Sequence, residues 1–181
     1  MTALICGGSK SGKSDAAQNL AQKTAQRLGV PLYYVATMKP SDDEDMERIA
    51  RHKENRAGMG FETIELECDV GKAVDIGGKN CVYLVDSVTA LLNGEMFPPP
   101  SYDQDMDAIG RCISGLCRIA DEAAGAVFVS DYIFSDAERY DAVTERYRRG
   151  LGEICRRLAD ICDIVAEANA GILTFYKGGV V

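Results

Sequence analysis

The octapeptide GGSKSGKS at positions 7–14 constrains this chain more than any other feature, because it fits the pattern G-x-x-x-x-G-K-[ST]. It follows the apolar run 3–6 and precedes a stretch, 16–28, whose apolar residues have helical spacing. Between a strand and a helix, glycines let backbone N–H groups turn toward phosphate oxygens, and the helix start adds partial positive charge. The sequence therefore predicts a phosphate-binding loop.

The predicted loop contains the side chains that a nucleoside triphosphate and Mg²⁺ require. Lys13 can reach the outer phosphates as a point charge, and the Ser14 hydroxyl can take a place around Mg²⁺. The residues expected to contact the nucleotide here are Gly7, Gly8, Ser9, Lys10, Ser11, Gly12, Lys13 and Ser14.

Asp86 is the second candidate metal ligand, after Ser14. It ends the hydrophobic run 81–86, and a carboxylate at the C-terminal edge of a parallel sheet can hold Mg²⁺ beside a phosphate loop. The alternative is an aspartate that only begins the next turn.

The rest of the chain alternates between strand-like and helix-like patterns. Strands are expected at 3–6, 32–37, 61–66, 81–86, 126–130 and from 164 onward. Helices are expected at 42–57, 69–76 and 104–124, with a long one opened by a capping-box signature at 135–138. This alternation predicts one α/β domain over residues 1–181, with a mostly parallel sheet flanked by helices.

Bulk composition limits the classes of partner. A formal net charge of −8 argues against nucleic acid as the main partner, because the chain has no general basic field. No run approaches the roughly 20 apolar residues of a membrane span, and the N-terminus lacks a secretory pattern, so we expect a cytoplasmic protein. The seven cysteines are scattered without CxxC spacing, and we expect them to pack as small hydrophobic residues.

His52 is the only histidine and lies in the predicted helix 42–57. The residues that share its stripe follow at intervals of four: Glu44, Arg48, His52 and Arg56. The apolar residues expected on the buried side are Met46, Ile49 and Ala50. The neighbouring cations disfavour the imidazolium and favour a neutral, nucleophilic ring, and they can hold a triphosphate. The alternative is a surface histidine without a role.

In these motifs the chain resembles the bifunctional adenosylcobinamide kinase / adenosylcobinamide-phosphate guanylyltransferase family of cobalamin biosynthesis. The resemblance is carried by GGSKSGKS, YYVATM, DDEDMERIARHKENR and VYLVDSVTALL, in family order, and by FETIE at 61–65. The third stretch is the most specific, because few phosphate-loop proteins place an acidic helix with an RI-x-x-H pattern directly after strand two. The fold that the resemblance implies is a P-loop NTPase-type (RecA-like) domain.

The resemblance implies two catalytic residues, His52 and Lys13. His52 would attack the α-phosphate of GTP, release pyrophosphate and pass GMP to adenosylcobinamide phosphate, giving adenosylcobinamide-GDP. The same protein would phosphorylate adenosylcobinamide with GTP or ATP, through the loop and Mg²⁺. The resemblance also implies a homotrimer in which a neighbouring subunit helps to form each site. The nucleotide contacts implied outside the loop are Ala36, Thr37, Met38, Lys53, Glu54, Asn55, Arg56, Glu65 and Asp86.

Two segments depart from the family pattern. Where the family reads V-S/T-N-E-V-G, positions 129–134 read VSDYIF, and the terminal strand carries Glu167 and Asn169. Both segments are expected to lie away from the loop and from His52. The departures are therefore expected to affect corrinoid binding and the kinase activity more than the guanylyl transfer. Two alternative functions remain open: a P-loop kinase of a small alcohol with His52 as a spectator, and a nucleotide-binding module that has lost catalysis.

Overall fold

The structure, a computed structural model, describes residues 1–39, 46–47, 50, 53–54, 56–100, 105–134 and 138–179. The strands are β1 (Thr2–Gly7), β2 (Leu32–Ala36), β3 (Phe61–Glu65), β4 (Val82–Asp86), β5 (Gly125–Asp131), β6 (Ile164–Asn169) and β7 (Ile172–Lys177). The helices are α1 (Lys13–Leu28), α2 (Ala73–Gly77), α3 (Val88–Met96), α4 (Ala108–Glu122) and α5 (Ala142–Ile161), with a 3-10 turn at Val70–Lys72. Between β2 and β3, the described residues Met46, Glu47, Ala50, Lys53 and Glu54 are helical.

Within the described chain, the strands form one sheet in the order β3-β2-β4-β5-β1-β6-β7. All neighbouring pairs are parallel except β6 and β7. Strand β5 therefore lies between β1, which leads into the glycine loop, and β4, which ends at Asp86. The register pairs Gly7 with Asp131 and Ala36 with both Asp86 and Glu65. The strand ends predicted to bind nucleotide thus share one edge of the sheet.

The sheet is covered on both faces, as its continuous apolar strands require. Alternate residues of each strand face opposite sides: Leu4 and Phe128 belong to one core cluster, Ile5 and Val127 to the other. Helix α1 packs on the second face through its alanines, whose small side chains allow a close approach to the strands. Helices α3, α4 and α5 cover the first face with buried Leu91, Leu92, Met96, Leu116, Ile119, Leu151 and Ile154. The predicted α/β architecture is confirmed.

The long C-terminal helix begins later than the sequence predicts. Residues 135–137 lie outside the described part of the chain, but Glu138 is not helical and α5 starts at Ala142. Asp141 is its N-cap, and the Asp141 carboxylate accepts the N–H groups of Val143 and Thr144 at 2.9 and 3.1 Å. A carboxylate that satisfies two free N–H groups sets the helix start more strongly than the upstream capping-box pattern. Helix α4 likewise begins at Ala108 rather than 104.

Two further elements were not predicted. Helix α3 follows β4 directly, and its N-cap Ser87 accepts the Ala90 N–H at 3.2 Å. Strand β7 folds back on β6 through Ala170 and Gly171, both at positive φ (50° and 81°). A two-residue turn of this kind usually carries asparagine or glycine first, so an alanine there hides the hairpin.

The buried side expected for the predicted helix 42–57 was wrong for its two described residues, Met46 and Ala50. Met46 is 57% exposed and Ala50 is also exposed, whereas Ile49 lies outside the described residues. In this single chain, those two side chains form apolar surface instead of core.

A matched pair of glycines in α4 tests the packing. A Cβ on Gly115 would lie 2.9 Å from the Gly71 nitrogen, whereas one on Gly110 would meet no heavy atom of the described residues within 4 Å. Gly115→Ala is expected to lower the free energy of unfolding by about 1–3 kcal/mol, through overpacking. Gly110→Ala is expected to raise it by up to ~1 kcal/mol, because alanine favours helix. Urea unfolding measures both, and shifts of the same sign would contradict the packing described.

Candidate nucleotide-binding site

The glycine loop joins β1 to α1 with the backbone geometry that its sequence predicts. Gly12 has φ 90° and precedes the first residue of α1, and the Ala16 N–H donates to the Gly12 carbonyl at 3.1 Å. A Cβ on Gly7 would lie 2.6 Å from the Ala168 carbonyl oxygen. Glycine is therefore required at both positions, for a left-handed backbone at Gly12 and for a close approach at Gly7.

The loop is held by the two neighbours of β1. In the turn between β6 and β7, the Gly171 N–H donates to the Ser11 carbonyl at 2.9 Å. Directly after β5, the Tyr132 N–H donates to the Gly7 carbonyl at 3.0 Å. These are the segments that depart from the family pattern. The expectation that they lie away from the loop was wrong, because β5 and β6 flank β1 in the sheet.

Lys13 is engaged by two oxygens at the mouth of the loop. Its Nζ lies 2.8 Å from Asp131 Oδ1 and donates to the Gly8 carbonyl at 3.0 Å. The side chains are 11% and 23% exposed, so the ion pair is largely enclosed. A triphosphate in the loop would compete with Asp131 for this ammonium.

Asp131 is a site residue that the sequence reasoning did not assign to the loop. Its signal was present: VFVSD ends an apolar strand in a carboxylate, as VYLVD does at Asp86. The pairing itself is non-local, since β1 and β5 are more than a hundred residues apart in the chain.

The candidate metal ligands lie at the same edge of the sheet. Ser14 is half-buried in the first turn of α1, and Asp86 is half-buried at the end of β4. Thr37 is buried and fixes the neighbouring backbone: its Oγ1 donates to the Ser87 carbonyl at 2.7 Å and accepts the Ser87 N–H at 2.9 Å. The ends of β2 and β4 are thereby tied together, which fixes the backbone at Asp86. Ala36 and Met38, on either side of Thr37, are half-buried.

A second cluster of predicted residues lines a cavity of about 510 Å³ beside the edge strand β3. Lys53, Arg56, Thr63 and Glu65 contribute to this cavity, which we call the edge pocket. Arg56 is buried, and its Cζ lies 3.5 Å from the centroid of the Tyr34 ring. A guanidinium stacked on an aromatic face is held in a defined orientation with its charge intact. The structure thus brings together three residues that the resemblance implied: Lys53, Arg56 and Glu65.

The remaining predicted residues are less completely described. Glu54 is helical and exposed. His52, Asn55 and Arg48 lie outside the described residues, so the predicted nucleophile stays a prediction. Lys53 adjoins His52 in sequence and lines the edge pocket.

A membrane-crossing segment was also sought. Among the described residues, no helix combines the length and the apolar character that crossing a bilayer would require.

Comparison with known proteins gives three findings. The model of the family described as cobinamide kinase / cobinamide phosphate guanyltransferase matches residues 3–175. The chain is 27% identical over 184 residues to the bifunctional adenosylcobalamin biosynthesis protein CobP of Pseudomonas aeruginosa, with 98% of each chain covered. Two solved structures have a similar fold at TM-score 0.51: the ATPase domain of G40P and the KaiC-like protein PH0186 from Pyrococcus horikoshii OT3.

The two structures support the fold alone. They are 11% and 14% identical to this chain, and each alignment covers 92% of it and 68% or 69% of the other protein. They confirm the predicted P-loop NTPase-type architecture of a mostly parallel sheet flanked by helices. The family match spans nearly the whole sequence, including the residues of the loop and of the edge pocket. The chain therefore belongs to the cobinamide kinase / cobinamide phosphate guanyltransferase family, the enzymes of cobalamin biosynthesis that its motifs resemble.

Proposed function

We propose that this enzyme phosphorylates adenosylcobinamide and then transfers GMP from GTP, through a guanylylated His52, to adenosylcobinamide phosphate. The product is adenosylcobinamide-GDP. The observation that carries the proposal is the gathering of cations at two places, the loop and the edge pocket, in a chain of net charge −8. An acidic protein that binds a triphosphate must concentrate its positive charge where the phosphates lie.

The loop supports the kinase half. Backbone N–H groups at the start of α1 favour phosphate oxygens, and Lys13 supplies a mobile positive charge beside them. Ser14 and Asp86 offer hydroxyl and carboxylate oxygens, the donors that Mg²⁺ prefers, at one edge of the sheet. These residues fit the ion: Ser14 and Asp86 would hold it, and when bound it would supply positive charge that offsets the charge of the phosphates.

The edge pocket supports the guanylyl half. Lys53 and the stacked Arg56 can neutralise phosphate charge next to the position that His52 occupies in the sequence. A neutral imidazole nitrogen would form a bond to the α-phosphorus while the bond to the bridging oxygen breaks, and pyrophosphate leaves with that electron pair. A histidine suits this step because the P–N bond is labile enough to pass GMP onward.

We also propose a homotrimeric, cytoplasmic enzyme whose neighbouring subunits complete each site. The exposed Met46 and Ala50, which are helical and precede His52 in the sequence, support the idea by leaving apolar surface for a second copy. Light scattering should give the mass of three chains, and a monomer at micromolar concentration would contradict the assembly.

The product assay separates this function from its alternatives. With adenosylcobinamide, GTP and Mg²⁺, the enzyme is expected to form adenosylcobinamide-GDP, detected by mass. A kinase without the guanylyl step would stop at the phosphate ester, and a module that has lost catalysis would bind GTP without turnover. Either result would overturn the proposal.

A further inference from the structure

Asp131 presents a carboxylate at the place where the outer end of a bound triphosphate would lie. Its Oδ1 is 2.8 Å from the Nζ of Lys13, the ammonium whose expected role is to bind the outer phosphates. The side chain is 23% exposed, so it is mostly enclosed but open to a substrate.

The position of Asp131 is fixed by the sheet and by α3. Register pairs it with Gly7 at the start of the loop, and Asp86 pairs with Val129, so β5 extends two residues beyond Asp86. The Asp131 N–H donates to Thr89 Oγ1 at 2.9 Å, and the Thr89 carbonyl accepts the Tyr147 hydroxyl at 2.7 Å. These contacts fix the backbone of Asp131. Because β5 lies between β1 and β4, Asp131 lies between the loop and the proposed metal ligand Asp86.

The carboxylate also makes its surroundings more negative. Burial raises the pKa of Tyr147, and the charge of Asp131 raises it further. Phosphate oxygens in the loop would draw Lys13 away from Asp131, because they offer that ammonium stronger, multiple acceptors. The carboxylate would then lie beside the phosphate without its cation.

We propose that Asp131 is the proton acceptor for the alcohol in the phosphoryl-transfer step, uncovered when Lys13 moves to the triphosphate. The proposal rests on the kinase activity proposed above. The alcohol O–H bond breaks and its proton passes to the Asp131 carboxylate. The alcohol oxygen forms a bond to the γ-phosphorus, and the bond from that phosphorus to the β–γ bridging oxygen breaks. The electron pair leaves with the nucleoside diphosphate.

A purely structural role makes a different prediction. If Asp131 only holds Lys13 in place, an asparagine would serve almost as well, because it has the same shape and keeps an oxygen for the ammonium. Asp131→Asn removes the charge and the basicity alone. The matched control is Asp121→Asn, which makes the same chemical change at an exposed position of α4 to which no role at the site is assigned.

The test measures kcat for phosphorylation of adenosylcobinamide and, separately, the Kd for the nucleotide. Asp131→Asn is expected to lower kcat by about 10²–10⁴-fold, the usual loss of a general base, without raising the Kd. Asp131→Glu should restore part of the rate, and Asp121→Asn should stay within about twofold of the wild type.

Three outcomes would overturn the proposal. An Asp131→Asn enzyme with full kcat would exclude a role in proton transfer. A raised Kd with unchanged kcat would place the Asp131 carboxylate in nucleotide binding instead of proton transfer. If the wild type itself binds nucleotide but forms no phosphate ester, the proposed kinase function fails, and the role of Asp131 falls with it.

Discussion

His52→Ala is expected to abolish the covalent GMP adduct while the protein still binds GTP. Wild-type enzyme incubated with α-labelled GTP and Mg²⁺ should retain acid-labile label, as a phosphoramidate does, and the variant should retain none. The effect is large because no other histidine exists in the chain to take over as nucleophile. Phosphorylation of adenosylcobinamide, which is proposed to proceed through the loop and not through His52, should continue.

The kinase activity of His52→Ala is the internal control for folding. A variant that loses both activities and GTP binding would report misfolding, and a milder change, His52→Asn, should then give a folded enzyme without the adduct. Label that persists in either folded variant would place the nucleophile elsewhere. Labelling of neither the wild type nor the variants would favour a kinase in which His52 is a spectator.

Lys13→Ala is expected to reduce both activities by on the order of 10²-fold or more, the usual effect of removing preorganised charge from a reacting phosphate. The structure gives a second reason for a large loss. Without the ammonium, the carboxylate of Asp131 would remain at the mouth of the loop and repel the triphosphate. Combining Lys13→Ala with Asp131→Asn should therefore recover part of the nucleotide affinity.

Lys10→Ala is the matched control for Lys13. Lys10 lies in the same loop and carries the same charge, but its backbone turns through a left-handed conformation (φ 56°) and its side chain is exposed. An exposed charge is screened by water, so the loss should be only several-fold. Steady-state kinetics and titration calorimetry measure both variants. If Lys13→Ala leaves catalysis nearly unchanged, the triphosphate does not bind in this loop.

The parts of the fold that the sequence predicts well are those with local signals. The apolar runs of β1, β4 and β5 and the glycine pattern at 7–14 each identify an element without reference to the rest of the chain. The start of α5 was missed because the Asp141 carboxylate, rather than the upstream signature, caps the helix. Strand β7 was missed because alanine occupies a turn position with positive φ.

In the candidate site too, residues with a local sequence signal could be predicted and contacts between distant segments could not. The loop residues and Asp86 could be predicted as site residues because each lies at the end of a recognisable strand, whereas the Lys13–Asp131 pair depends on which strand lies next to β1. Arg56 was predicted as a cation on the stripe of His52, and its burial against Tyr34 was not predicted. Both contacts are made by the three-dimensional arrangement of distant segments, which spacing along the chain does not reveal.

The most direct test of the account is the intact mass of the wild-type enzyme after exposure to GTP and Mg²⁺. Covalent guanylylation predicts that each chain gains the mass of one GMP and that the gain disappears when adenosylcobinamide phosphate is added. An unchanged mass in protein that demonstrably binds GTP would contradict the central claim.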